Sequence, residues 1–166
     1  MRRLLASRSV TMILAVVVFA MAVPAMAADP IIGSWKTNVA KSKFSPLLLA
    51  ALKRAPKERT EVYREIEGDQ IEMAATEIGT DGSPQSGKLV WPRQGGTARG
   101  ALREGPVFVE VLTDPGNWYV AILMDGKQTA LLHKTISKDG RTMRQTTKGT
   151  TPDGKTFEQI EVFDRQ

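Results

Sequence analysis

Apolar and polar residues alternate along much of the chain. Val107, Val109 and Val111 fall on one side of an extended run, with Phe108, Glu110 and Leu112 on the other. Trp118, Val120, Ile122 and Met124 alternate with Tyr119, Ala121, Leu123 and Asp125, and Ala130, Leu132 and Ile136 with His133 and Thr135. Ile160 and Val162 alternate with Gln159 and Glu161, and Val62 and Ile66 with Glu61, Glu65 and Glu67. A period of two describes strands with one dry and one wet face. Between these runs stand Asp81-Gly82, Asp125-Gly126, Asp139-Gly140 and Asp153-Gly154, with a further reversal at Gly68-Asp69 and a Pro-Gly turn in Asp114-Pro115-Gly116-Asn117. Such pairs tolerate the positive φ angles of tight turns. The pattern predicts strands at 33–37, 58–67, 70–78, 86–91, 97–103, 107–112, 117–124, 128–136, 142–149 and 156–164. Consecutive antiparallel strands of this length close into a barrel, because closure removes exposed edges. The expected fold is all-β: an up-and-down antiparallel β-barrel of eight to ten strands, with a sandwich as the alternative.

One stretch departs from this period. Pro46-Leu47-Leu48-Leu49-Ala50-Ala51-Leu52-Lys53-Arg54 has no β-branched residue. Ser45 suits a cap, Pro46 the first helical turn, and the two cations the C-terminal end. The reading is a short helix near 46–54, ended before Pro56. Its apolar face is expected to plug the barrel mouth, cover a sheet face, or meet a membrane or protein partner through Leu47, Leu48, Leu49 and Leu52.

The N-terminus reads differently again. Arg2, Arg3 and Arg8 form a basic head, Met12 to Val23 is apolar without a charge, and Ala25-Met26-Ala27 is a small-x-small cleavage pattern. Residues 1–27 are expected to be a cleaved signal peptide and 28–166 a single domain in the periplasm or outside the cell. The segment carries three of the 23 Lys+Arg and none of the 18 Asp+Glu, which leaves 20 cations against 18 anions, a net +2. The whole-chain pI of about 9.6 is therefore no nucleic-acid footprint. No cysteine is present, which excludes disulfides, thiolate metal sites and a lipoprotein anchor. No stable membrane anchor is expected after cleavage.

Gly33-Ser34-Trp35, at the start of the first strand, resembles the Gly-x-Trp signature that opens lipocalin and related calycin barrels. The resemblance implies that Trp35 packs across the closed end of the barrel under an Arg from a late strand, held by cation–π attraction; Arg144 and Arg165 both qualify. Asn38, Lys41-Ser42-Lys43-Phe44, the turn Ser137-Lys138-Asp139-Gly140-Arg141-Thr142-Met143 and the closing Val162-Phe163-Asp164 resemble lipocalin-like secreted bacterial proteins. The leucine-rich insert at 47–52 departs from that pattern, where a plain turn would be expected.

The sequence offers little chemistry. His133 is the sole histidine, so it forms neither a His pair nor a triad with a second base. Glu58, Glu61, Glu65 and Glu67 cluster with Arg59 and Arg64, which reads as a solvated, charge-mixed strand face rather than a carboxylate pair. Ser42, Ser45 and Ser86 lack a nucleophile elbow, and Gln94-Gly95-Gly96-Thr97 lacks the spacing of a phosphate loop. No catalytic residue, metal site or cofactor is assigned. The ligand-contact candidates are Trp118, Val120, Ile122 and Met124 on one strand face and Trp91 on another, with Lys88, Arg99 and Arg103 as a polar rim for an acidic headgroup. Two functions follow: a non-catalytic binder of a small apolar or amphipathic molecule, or a cavity-less envelope module that docks a protein through its surface and the leucine helix. An enzyme has the least support.

Overall fold

The computed structural model describes residues 29–52, 56–101, 108–114 and 116–166. Residues 1–27, read above as a signal peptide, lie outside the described residues, as do Arg103, Val107, Pro115 and the side chains of Leu48 and Leu52. Ten strands follow one another: β1 (Gly33–Thr37), β2 (Pro56–Ile66), β3 (Gln70–Gly79), β4 (Pro84–Pro92), β5 (Gly95–Ala101), β6 (Phe108–Asp114), β7 (Asn117–Met124), β8 (Lys127–Ile136), β9 (Thr142–Thr150) and β10 (Thr156–Arg165). Each pairs antiparallel with its sequence neighbour, and β10 returns to β1, so the sheet is a closed barrel. This is the all-β barrel expected from the alternation and the Asp-Gly turns.

Turn chemistry sets the corners. Asp125 (φ 49°) and Gly126 (φ 72°) both take positive φ, as do Gly68 (φ 78°) and Asp69 (φ 54°). This is the mirror-image turn that matches strand twist, and it explains why Gly and Asp stand there. At Ser137–Arg141 the Asp139 carboxylate accepts from the Ser137 hydroxyl and the Arg141 amide. Local hydrogen bonds therefore hold that corner before any packing acts.

The helix α1 (Pro46–Leu52) joins β1 to β2. A 3₁₀ turn at Val39–Lys41 comes first, capped by the Asn38 side chain. β1 is short, and the chain after it continues along β10: Asn38 N donates to Val162 O, Lys43 N to Ile160 O, and Ile160 N to Lys43 O. The flank of β10 is thus satisfied where β1 has ended. Leu47 is exposed.

The two ends of the barrel differ. At the end where β10 closes, inward side chains are large and buried: Trp35, Tyr63, Ile71, Trp91, Val111, Trp118, Met143 and Phe163. Toward the other end the inward positions include five small ones, Ala75, Gly87, Gly100, Ala130 and Gly149, the last covered by the ring of Phe157. None of these five is buried. The barrel has a packed floor, and its inward positions lose burial toward the other end, the upper lumen.

Candidate functional site: the barrel lumen

Side-chain chemistry divides the lumen in two. One wall, from β3 to β8, is apolar: Met73, Leu89, Val109, Val111, Val120, Ile122 and Leu132 alternate inward there. The other wall, on β2, β8, β9 and β10, carries Arg59, Glu61, Lys134, Gln145, Thr147, Gln159 and Glu161. All but Arg59 are buried, and the Arg59 side chain is only 16% exposed.

A charge network braces the lumen across strands. Glu61 is 0% exposed and Lys134 3%. Lys134 Nζ donates to Glu61 Oε2 at 2.6 Å and to Tyr63 Oη at 2.5 Å. Tyr63 Oη donates to Glu61 Oε2 at 2.5 Å and Arg59 Nη2 to Glu61 Oε1 at 2.5 Å. Arg59 Nη1 stands 3.7 Å from Glu161 Oε1, whose Oε2 accepts from Gln145 and Gln159. Burial alone would raise the Glu61 carboxyl, but Lys134 and Arg59 outweigh it and bring it down to about 2. Burial, followed by the Glu61 charge, pushes the Tyr63 phenol well above its usual value. Burial also draws Lys134 below the ordinary lysine value, against the attraction of Glu61. Two cations therefore face two carboxylates, and each Glu61 oxygen is already taken.

Beside this network lies a void of about 30 Å³ bordered by Trp91, Trp118, Val120, Ile122, Arg59 and Lys134, among others. That is room for one or two waters. Trp91 is 4% exposed, and its indole Nε1 has no partner among the described residues.

The structure brings four of the five ligand-contact candidates, Trp91, Trp118, Val120 and Ile122, around this single void. Met124 is not with them. Met124 is the last residue of β7, beyond a register shift that skips Thr129 on β8, and is 51% exposed. The polar rim is also corrected. Lys88 points outward, exposed, and pairs with Glu72, and Arg99 is exposed on the outer face.

The largest correction concerns Glu61. The expected wet face of β2 is the inner face: Glu61 and Tyr63 point into the barrel, and Val62 is half-buried outside. Glu65 and Glu67 lie exposed beyond it. On β10, Gln159, Glu161 and Phe163 likewise point inward while Ile160 and Val162 do not. Hydropathy inverts here because charge partners on other strands satisfy the buried carboxylates. A signal was present: Lys134 shares strand parity with Leu132 and Ile136, so a dry face carried a cation that needed an internal anion. His133 sits outside, stacked on Tyr119 at 4.4 Å with Nε2 2.9 Å from Asn117 Oδ1. Among the described residues, no group of three or more His, Asp or Glu is placed to hold a metal.

At the closed end Arg165, not the exposed Arg144, covers Trp35.

No family model matches the chain, and no curated protein sequence does. Solved structures share the fold. Fatty-acid-binding protein 1 of Echinococcus granulosus superposes with a TM-score of 0.54 at 10% identity over 82% of this chain and 97% of its own. A point variant of the fluorescent protein UnaG gives 0.56 at 16% identity over 82% and 96%. Zebrafish ileal bile acid-binding protein, complexed with cholic acid, gives 0.50 at 10% identity over 82% and 99%. The chain shares the closed antiparallel β-barrel fold of these proteins; identities this low establish the fold alone.

Proposed function

We propose that this chain is exported, cleaved after Ala27, and acts in the periplasm or outside the cell as a non-catalytic binder of a small apolar or amphipathic molecule held in the barrel. The observation that carries this reading is the lumen itself: an apolar wall, a charge-paired wall, and inward residues that lose burial toward one end. The solved barrels that share the fold include a fatty-acid-binding protein and a bile acid-binding protein. Burying a guest against Val120, Ile122, Leu132 and Trp118 would contribute roughly 25 cal/mol per Å² of apolar area. The void of about 30 Å³ is far below the few hundred Å³ of a ligand pocket. Entry of a guest therefore requires the upper lumen, with its Ala and Gly positions, to admit it and the half-buried Val120 and Ile122 to shift.

The test is native mass spectrometry of the protein taken from a cell envelope. The expected species starts at Ala28 and carries a small molecule that is lost in Trp118→Ala. A species without any small molecule, or cargo unaffected by Trp118→Ala, counts against the lumen. A chain retaining Met1 counts against cleavage.

The smallness of the void favours a second reading, an interaction module working through its surface. Leu112 is 66% exposed, and Leu47 and Met124 are exposed too. Recovery of a stoichiometric protein partner with an empty barrel would select it.

A further inference from the structure

The residues bordering the lumen void include three side-chain donors, Arg59, Lys134 and Trp91, besides the Tyr63 hydroxyl, which is already held between Lys134 and Glu61. Arg59 and Lys134 each carry more N–H groups than their carboxylate and phenol partners use. Trp91 Nε1 is buried with nothing to donate to among the described residues. The other buried atoms without a partner, Thr37 Oγ1 and the side-chain carbonyls of Gln145 and Gln159, belong to residues that do not border the void. The cations are not free charges. Glu61 occupies Arg59 with one oxygen and Lys134 with the other, and Glu161 stands on the far side of Arg59.

We infer that the lumen selects an uncharged, largely apolar guest with a hydrogen-bond acceptor (an ester, ketone or ether) seated on Trp91 Nε1, and that it disfavours carboxylate guests. This rests on the lumen-binding reading and gives it a chemical class. An acceptor meeting Trp91 satisfies a buried donor that otherwise stays open. A carboxylate meets the opposite situation: the belt is already neutral, so its charge would enter a low-dielectric space without an uncommitted cation and beside Glu61. The low Glu61 carboxyl acts in the same direction, because it keeps a negative charge beside the lumen.

The test uses the full chain and three probes matched in length: methyl decanoate, decanoate and decane, titrated calorimetrically at neutral pH. The expected result is that methyl decanoate binds about tenfold more tightly than either of the others, the scale of one buried hydrogen bond. In Trp91→Phe, methyl decanoate falls to the affinity of decane. In ¹⁵N-tryptophan-labelled protein, one indole N–H resonance moves downfield with methyl decanoate and not with decane, which reads the same contact without a substitution. Decanoate binding as tightly as the ester overturns the inference and leaves the lumen reading standing. Equal affinity for ester and decane, or no indole shift, overturns the role of Trp91. Failure of all three probes to bind overturns the inference together with the lumen-binding proposal.

Discussion

Arg165 lies over Trp35, its guanidinium carbon 4.3 Å from the ring centroid. The same group donates from Nε to Gly140 O, from Nη1 to Ile32 O and from Nη2 to Pro30 O, at 2.5–2.8 Å. Trp35 Nε1 donates to Ile31 O at 2.7 Å. One fork from the last strand thus ties the lead-in to β1 and the β8–β9 turn onto the floor of the barrel. Cation–π attraction and charge-assisted hydrogen bonds act on one side chain here.

Arg165→Lys should keep the charge and lose the fork, because an ammonium cannot reach three carbonyls in one plane. The expected cost is about 1–3 kcal/mol. Arg144→Ala, on an exposed side chain, should change stability by no more than about 0.5 kcal/mol. Chemical denaturation of the two variants decides between them. Equal losses would deny the latch.

Gly33→Ala tests the same corner from its other partner. Gly33 has φ 136°, and a Cβ there would stand 2.7 Å from Arg165 Nη1. Both the backbone and the guanidinium oppose any side chain, which gives the Gly of Gly-x-Trp a physical reason. The expected cost is about 1–3 kcal/mol. Only the steric part should be relieved when Arg165→Ala is added, so thermal unfolding of the double variant should show less than additive loss.

The charge brace predicts a reversal of sign. Lys134→Met alone leaves Glu61 buried with one cation fewer and should cost about 3–5 kcal/mol, as should Glu61→Leu alone. Lys134→Met together with Glu61→Leu removes the facing pair and should recover most of that loss, Arg59 retaining Glu161. A double-mutant cycle by urea unfolding measures the coupling. Strict additivity would mean that the two side chains do not hold one another.

The strands were legible because turn chemistry is local: each Asp-Gly reversal stands where its own φ angles require it. The helix was legible for the same reason, from Ser45, Pro46 and a run without β-branching. Facing was legible only where hydropathy decides it, as at Val109, Val111, Trp118 and Val120. It failed at Glu61, Gln159 and Glu161, whose burial depends on partners 73 residues away, as between Lys134 and Glu61, or on a sheet pairing such as Glu161↔Gln145. No window along the chain contains both members. Met124 failed because it ends its strand, where alternation no longer decides burial. The choice between Arg144 and Arg165 needed the closed sheet: Arg165 opposes Trp35 directly across β1 and β10.

Glu61 also predicts how the barrel responds to acid. Its carboxyl sits at about 2 in the folded protein against about 4.3 in an unfolded chain. Burial raises it and the attraction of Lys134 and Arg59 more than reverses this, so the folded state binds the proton less readily than the unfolded one. The stabilisation is therefore fully present above the unfolded value and is lost as pH falls from there through about 2. Its full size is on the order of 3 kcal/mol. Thermal unfolding followed across that window should show a falling midpoint for the wild type. In Glu61→Gln the midpoint should begin lower and fall less steeply, because the group that takes up the proton is gone. A slope unchanged by that substitution would mean that other carboxylates carry the acid response and that Glu61 is not held ionised.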